Sequence, residues 1–271
     1  ILLKIKSLVT TWEGYPWERI LCNFCWMNNI NYYGYVHVGP SKIQHSAFRF
    51  LGKEYEPRKL LSPNVVSKNL IKKLYKKDSI VVGSHKSNLI NENFSKVNKI
   101  DFTIKETLYS KTLLIIPQGN FYEVKILFNL ALDILEKDIN IILRFHPLLL
   151  KYKEINLFIN EEIKKNKYGS NIILSKTTLV NDIKSSTHFL YCGSSAAIEC
   201  LSYGLTPIYF NCGYGLDSLL GYEIPNKFCA KSPGDLKKIL NIRIKSDYNH
   251  KAYINNKNPF NLNFSEEFNL S

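Results

Sequence analysis

The chain has 271 residues, 45% of them hydrophobic and 13% aromatic, so it can bury a substantial core and is long for one α/β domain. It carries 36 Lys and Arg against 23 Asp and Glu, a net charge of +13, but the lysines are scattered and no arginine-rich run with interleaved aromatic residues occurs. This pattern argues against a nucleic-acid binder and leaves an anionic substrate or an anionic membrane face as the expected partner.

The first part of the chain is predicted to alternate strands with helices. The predicted strands are 2–9, 32–38, 61–66 and 79–83, the predicted helices are 16–28 and 68–75, and 40–60 is predicted to be a loop. Residues 85–110 are polar and poorly periodic, which predicts a linker or a connecting hairpin. We therefore assign residues 1–110, with this linker, to a first Rossmann-like lobe on the acceptor side. The chain starts without Met in a predicted strand, so we expect this lobe to be incomplete at its N-terminus.

The second part alternates more regularly. The predicted strands are 113–116, 139–145, 172–174 and 188–191, and the predicted helices are 122–136, 151–165 and 178–185. Alternation with nearly continuous apolar strands is typical of parallel sheets covered on both faces. We assign residues 111–245 to a nucleotide-donor-binding Rossmann-like lobe and 246–271 to a C-terminal tail. The expected fold is α/β with two lobes, a cleft between them, and ligands beyond the carboxyl ends of the strands.

Residues 191–211 form a candidate nucleotide site at such a strand end. Gly193 allows a sharp turn off the strand, and Ser194 and Ser195 offer hydroxyl and backbone N–H groups at a helix start, where an anion is stabilised. Glu199, one helical turn later, is placed to accept hydrogen bonds from a ribose, and Gly204 ends the helix. The alternative is an ordinary βαβ unit with a serine N-cap.

Two loops of the first lobe contain candidate proton acceptors. Glu13 follows the first strand and precedes a helix, which suits a general base; the alternative, an acid that stabilises the helix start, fits Glu18 better. His37 lies near the end of the next strand, where a structural role is the alternative. In the second lobe, the two-residue period of a strand predicts that Arg144 and His146 project to the same side, before a stiff exit at Pro147. That pair suits a phosphate.

Cysteine usage and hydropathy indicate a cytoplasmic protein. The six cysteines have no zinc-ligand spacing, and Cys22 and Cys25 lie in an apolar run that favours core packing, so reduced thiols are expected. No stretch approaches the roughly 20 apolar residues of a membrane-spanning helix, and the first residues lack a signal-peptide cleavage pattern.

These motifs together resemble glycosyltransferases of the GT-B architecture, in particular bacterial surface-carbohydrate and capsule enzymes with cytidine-nucleotide donors. Arg-Phe-His-Pro at 144–147 and Gly-Ser-Ser at 193–195 resemble the His-Pro and Ser-Ser motifs that hold the donor phosphate in sialyltransferase-like and related Kdo-transferase-like enzymes. Trp12-Glu13-Gly14 is similar to their acidic-acidic-glycine motif, with Trp12 in place of the first acid.

Two further segments extend the resemblance. Residues 34–41 resemble the His-Gly loop of CDP-glycerol glycerophosphotransferases, although His37 is followed first by Val38 and then by Gly39. Residues 195–207 are similar to the Glu-Ala-Leu…Gly-x-Pro segment of many GT-B donor lobes.

The resemblance implies transfer of a sugar or glycerol phosphate from a CMP- or CDP-linked donor to a surface-polysaccharide acceptor, glycan or lipid-linked, at the inner face of the plasma membrane. It implies Glu13 or His37 as the base, and a donor site that comprises Arg144, His146, Pro147, Gly193, Ser194, Ser195 and Glu199. The sequence has no Asp-x-Asp, so we expect independence from metal and no cofactor beyond the nucleotide-sugar co-substrate. The alternatives are a sugar-nucleotide epimerase on the same fold and a non-catalytic fragment that binds nucleotide sugars.

Overall fold

The structure is a computed structural model that describes residues 5–37, 46–83, 111–213, 217–220 and 228–241. The described residues divide into two compact units. Residues 5–37 and 46–83 belong to unit 1, and residues 111–213, 217–219 and 228–241 belong to unit 2. The predicted linker or hairpin at 85–110, the predicted tail at 246–271 and residues 38–41 of the His-Gly-like loop lie outside the described residues, and the predicted lobe boundaries stay predictions.

Unit 1 contains, within its described part, a four-stranded parallel sheet in the order β1-β2-β3-β4. The strands are β1 (Ser7–Thr11), β2 (Asn31–Tyr35), β3 (Lys59–Ser62) and β4 (Ser79–Val81), and the helices are α1 (Pro16–Met27) and α2 (Val65–Tyr75). Trp12, Cys22 and Cys25 lie in the core beside residues of β2, β3 and α2. The CxxC pair is therefore part of the core, as its apolar surroundings predict.

Unit 2 contains, within its described part, a six-stranded parallel sheet in the order β10-β9-β8-β5-β6-β7. The strands are β5 (Lys111–Ile115), β6 (Ile139–Leu143), β7 (Ile172–Leu174), β8 (His188–Tyr191), β9 (Thr206–Phe210) and β10 (Phe228–Ala230). The helices are α3 (Phe121–Leu132), α4 (Lys153–Lys165), α5 (Leu179–Lys184), α6 (Ala196–Ser202) and α7 (Pro233–Leu240). The predicted parallel sheets and alternating helices are confirmed in both units.

One predicted strand has the wrong bounds. The sequence predicts a strand at 61–66, whereas β3 spans Lys59–Ser62 and Val65 begins α2. The reason is local: the Asn64 side chain accepts a hydrogen bond from the Ser67 backbone N–H at 2.8 Å and caps the helix, so two β-branched valines start a helix. The elements β10 and α7 were not predicted at all.

The structure contains free cysteine thiols at all six positions. None of the helices in the described part of the chain is both long and apolar enough to cross a bilayer.

Candidate functional site

The loops after β1 and β2 bring a carboxylate and an imidazole together. Glu13 Oε1 lies 3.4 Å from His37 Nε2, and their side chains are 29% and 38% exposed, so both are accessible. The strands are parallel neighbours that pair Thr11 with Tyr35, so the residues just beyond them emerge at the same edge of the sheet. The structure thus joins the two proposed bases into one site, while their catalytic roles stay a prediction.

Tyr15 is a third polar group at this site and is not among the predicted site residues. Its exposed hydroxyl donates a hydrogen bond to the Glu13 carboxylate, and this bond and the negative charge of Glu13 raise the pKa of Tyr15. The available signal was the spacing, since Tyr15 lies two residues after Glu13 in a tight turn before a helix. Glu13 therefore contacts both a phenol and an imidazole.

The backbone around Glu13 is held from two sides. The buried Glu18 carboxylate accepts hydrogen bonds from the backbone N–H groups of Glu13 and Tyr15, both at 2.9 Å, which is the role at the helix start expected for Glu18. Ser46 Oγ donates to the Glu13 carbonyl at 2.8 Å. Gly14 has φ +77°, and a Cβ there would lie 2.1 Å from the Ser46 carbonyl oxygen, so this turn requires glycine.

Trp12, which stands where the resembling motif has its first acid, is a core residue. It is 1% exposed, and its Nε1 donates to the Ala47 carbonyl at 2.7 Å. A Cβ on Gly34 of β2 would lie 2.9 Å from Trp12 Cβ, so the indole fills the space above that glycine. An acid at this position would be buried, which explains why only Glu13 of this motif faces solvent.

Unit 2 has a topological switch point between β5 and β8. β5 pairs with β6 on one side and with β8 on the other. The chain runs outward from β5 to β7, and then from β8 in the opposite direction to β10. Loops after the two strands at such a reversal leave the sheet in opposite directions and open a ligand crevice at its carboxyl edge. The loops at 116–120 and 192–195 flank that crevice.

Glu123 ties these two loops together. Its buried carboxylate, in the first turn of α3, accepts hydrogen bonds from the backbone N–H groups of Gln118 and Gly193. Burial raises the pKa of Glu123, and the two N–H groups partly oppose that shift. Glu123 is not among the predicted site residues, although an acid at the start of a predicted helix is a signal that the sequence contains.

The segment after β8 has part of the expected geometry. Ser194 is buried and its carbonyl accepts a hydrogen bond from Ser218 Oγ at 2.7 Å. Ser195 is exposed at the N-cap position of α6, and its side chain makes no capping hydrogen bond, which differs from the serine N-cap alternative. Glu199 is half-buried in the first turn of α6, and Gly204 follows the helix with φ +81°. α6 has only seven residues, so its dipole by itself is a weak anion trap.

His146 lies beside the loop that follows β5. A Cβ on Gly119 would be 3.3 Å from His146 Nδ1, and that nitrogen accepts a hydrogen bond from the Leu148 backbone N–H at 3.3 Å. Pro147 begins a short 3₁₀ turn, as its stiffness predicts. Because Glu123 joins the same loop to Gly193, His146 and the Gly193 turn belong to one edge of unit 2.

Arg144 is held by polar groups that follow β7 or belong to α5, and its projection to the same side as His146 stays a prediction. Its Nη1 donates to Asp182 Oδ2 at 2.7 Å, to Ser175 Oγ at 3.1 Å and to the Thr177 carbonyl at 2.8 Å. The Asp182 carboxylate is buried, so the guanidinium of Arg144 compensates a charge that water does not solvate. A role for Arg144 in phosphate binding stays a prediction.

In the part of the chain that the structure describes, no group of three or more His, Cys, Asp or Glu side chains is arranged to hold a metal ion. Independence from metal stays a prediction.

No protein-family model and no curated protein matches the sequence significantly. Solved structures do resemble the chain. Methanocaldococcus jannaschii UDP-GlcNAc 2-epimerase, in complex with UDP-GlcNAc and UDP, is 17% identical to this chain, with a TM-score of 0.57. The alignment covers 93% of this chain and 74% of the epimerase. Anabaena Alr3699/HepE, in complex with UDP and glucose, is 10% identical, with 95% and 74% coverage and a TM-score of 0.58.

Neisseria meningitidis UDP-GlcNAc 2-epimerase, bound to UDP-GlcNAc, is 13% identical, covers 92% of this chain and 74% of its own, and has a TM-score of 0.50. At such identities the similarity establishes the fold alone. The chain therefore has the GT-B fold, two Rossmann-like lobes with parallel sheets.

Proposed function

We propose that the protein is a GT-B glycosyltransferase that transfers a sugar from a pyrimidine-nucleotide donor to a hydroxyl acceptor. The observation that carries the proposal is the contact between Glu13 and His37 at the carboxyl edge of the unit 1 sheet. A partly exposed carboxylate beside an imidazole is suited to accept the proton of an acceptor hydroxyl. A well-placed base of this kind contributes about 10²–10⁴-fold to the rate.

The donor is assigned to unit 2. The switch-point crevice, with the Gly193 turn and His146 at one edge, offers backbone N–H groups, serine hydroxyls and an imidazole to a departing nucleotide phosphate. The motif resemblance favours a CMP- or CDP-linked donor, whereas the structurally similar proteins are complexes with UDP-sugars or UDP. The motif resemblance and the similar structures both favour a pyrimidine nucleotide. We propose, more specifically, that the nucleotide is cytidine. The proposed acceptor is a glycan or lipid-linked surface saccharide at the cytoplasmic face of the membrane.

A sugar-nucleotide epimerase is the second candidate. The observation in its favour is that two of the three similar structures named above are UDP-GlcNAc 2-epimerases. An epimerase that inverts a carbon centre by proton removal also needs an acid and a base, and Glu13, His37 and Tyr15 could serve there. The two activities differ when no acceptor is present: an epimerase converts the nucleotide sugar, whereas a glycosyltransferase does not transfer its sugar.

Thermal shift with CMP, CDP, UDP, GDP and ADP tests the donor. A nucleotide that binds only the folded protein raises its melting temperature, so shifts confined to cytidine nucleotides support the finer proposal and shifts with UDP redirect it. A shift with none of the pyrimidine nucleotides contradicts the donor assignment.

The stabilising donor is then incubated with the protein in D₂O, first without acceptor. Conversion to an epimer with deuterium at the inverted carbon identifies an epimerase, whereas transfer that requires an added acceptor identifies a glycosyltransferase. Nucleotide binding without either product identifies a binding fragment, and the proposed activity would then be wrong.

A further inference from the structure

The outward face of α1 is apolar, although α1 is a surface helix. Trp17, Ile20, Phe24 and Met27 are 53%, 68%, 56% and 77% exposed. Their spacing of three, four and three residues places them along one stripe of a helix of roughly 18 Å. A surface helix normally turns charged and polar side chains outward, and a helix that is apolar on its outer face is suited to contact another apolar phase.

The only charged residues of α1 face the interior, where each has a structural task. The Glu18 carboxylate accepts hydrogen bonds from two backbone N–H groups of the Glu13 turn. The Arg19 guanidinium donates to the carbonyls of Ser46, Arg49 and Tyr55 and to the Glu56 carboxylate. Because both charges are used inside, α1 presents no charge on the exposed stripe.

Charge complementarity selects the partner for this stripe. The described part of unit 1 contains 11 Lys and Arg against five Asp and Glu, and the whole chain has a net charge of +13. A second copy of the chain would bring the same positive charge, which opposes self-association. An anionic lipid bilayer offers opposite charge and an apolar layer, and Trp and Phe are suited to the boundary between headgroups and acyl chains.

A cavity at the C-terminal end of α1 adds a headgroup-sized site. It has a volume of about 650 Å³ and is lined by the exposed aromatic side chains of Trp26 and Phe50 and by the cationic Lys53 and Arg58. Glu56, the acid in its lining, is already paired with Arg19 and Lys77. Two cations in one cavity are suited to bind the phosphate of a lipid headgroup.

We propose that the stripe formed by Trp17, Ile20, Phe24 and Met27 docks unit 1 onto an anionic phospholipid membrane. The helix lies in the interface plane, inserts its apolar face at the headgroup boundary and leaves Lys53 and Arg58 of the neighbouring cavity to contact the anionic headgroups. This inference does not depend on the proposed activity, because lipid binding is measured without donor or acceptor.

The test is co-sedimentation of the full chain with sucrose-loaded vesicles of phosphatidylcholine alone or mixed with phosphatidylglycerol. We expect binding to the anionic vesicles, at least about tenfold weaker binding to neutral ones, and release by added salt. The double variant Ile20→Gln/Phe24→Gln should bind anionic vesicles at least about tenfold less well, since it loses two exposed apolar side chains that the bilayer would otherwise bury. The matched control is Leu150→Gln/Leu157→Gln, which removes two similarly exposed leucines from unit 2 and should bind like the unaltered protein.

Three outcomes would overturn the proposal. They are no binding of the unaltered chain to anionic vesicles at low salt, equal binding of the Ile20/Phe24 variant, and a dimer in solution that this variant dissociates. If the variant fails to fold, docking is tested on the unaltered chain by the quenching of its tryptophan emission by brominated lipids. Docking should quench the emission, because Trp17 and Trp26 are exposed while Trp12 is buried. An emission unchanged by brominated anionic vesicles would contradict docking.

Discussion

The carboxylate of Glu13 contacts the imidazole of His37 at 3.4 Å, across the carboxyl ends of two parallel strands that pair directly. Tyr15 donates to the same carboxylate from the other end of the turn. One accessible site of unit 1 thus contains a carboxylate, an imidazole and a phenol, which is enough for either acceptor activation or an acid and base pair.

The substitution Glu13→Gln should retain donor binding and lower turnover by about two orders of magnitude, because the amide keeps the shape but cannot accept the proton. Turnover is measured with the donor that the thermal-shift panel identifies, and donor binding by the same shift. Glu161→Gln, an exposed acid on α4, is the matched control and should behave as the unaltered protein. If Glu13→Gln turns over normally and His37→Ala is inactive, His37 is the general base. Normal turnover of both variants would refute general base catalysis by this site.

The substitution Gly14→Ala should lower the free energy of unfolding by about 2–5 kcal/mol, because the methyl group meets the Ser46 carbonyl and the backbone has a positive φ. Gly204→Ala is the control: its φ is +81° but its Cβ would meet nothing within 4 Å, so only the backbone strain of about 1–2 kcal/mol remains. Urea unfolding of the two variants measures the difference. Equal losses would show that the turn beside Glu13 can relax away from Ser46.

The substitution His146→Ala should weaken nucleotide binding by about 1.5–3 kcal/mol, the value of a hydrogen bond to a charged group, with little effect on stability. Calorimetric titration with the stabilising nucleotide measures it. Arg144→Gln is the contrasting variant: it leaves the buried Asp182 without its cation and should cost about 1–3 kcal/mol of stability. An unchanged affinity in His146→Ala would return His146 to a structural role.

The raised pKa of Glu123 should make the free energy of unfolding depend on pH. Its pKa is raised from the ordinary 4.5, chiefly by burial, so the folded state holds the proton to a higher pH than the unfolded state. This contribution is fully present below the unfolded pKa and is lost as pH rises through the folded pKa. Urea unfolding from mildly acidic to neutral pH should therefore show a decline in the unaltered protein that Glu123→Gln lacks. Parallel curves for the two proteins would contradict a raised pKa.

Much of the fold was predictable because its signals are local. Apolar runs of strand length alternate with helical patterns, and a parallel arrangement follows from strands buried on both faces. β7 and β8 have the predicted bounds. β7 and β10 both have three residues, but the apolar run Ile172-Ile173-Leu174 marks β7, whereas in Phe228-Cys229-Ala230 only Phe228 has a high strand propensity. Likewise, Glu13 and His37 could be paired from sequence because parallel strands end at one edge of a sheet.

Local sequence patterns predict the order and type of most elements and the strand-end loops in which polar residues collect. The partners of the charged groups follow only from the tertiary structure: Asp182 binds Arg144, and the Gln118 and Gly193 N–H groups bind Glu123. The burial of both charged side chains of α1 is likewise visible only there. The physical reason is that periodicity shows which residues share a face, whereas the burial of that face and the partners of a charge depend on segments distant in the chain.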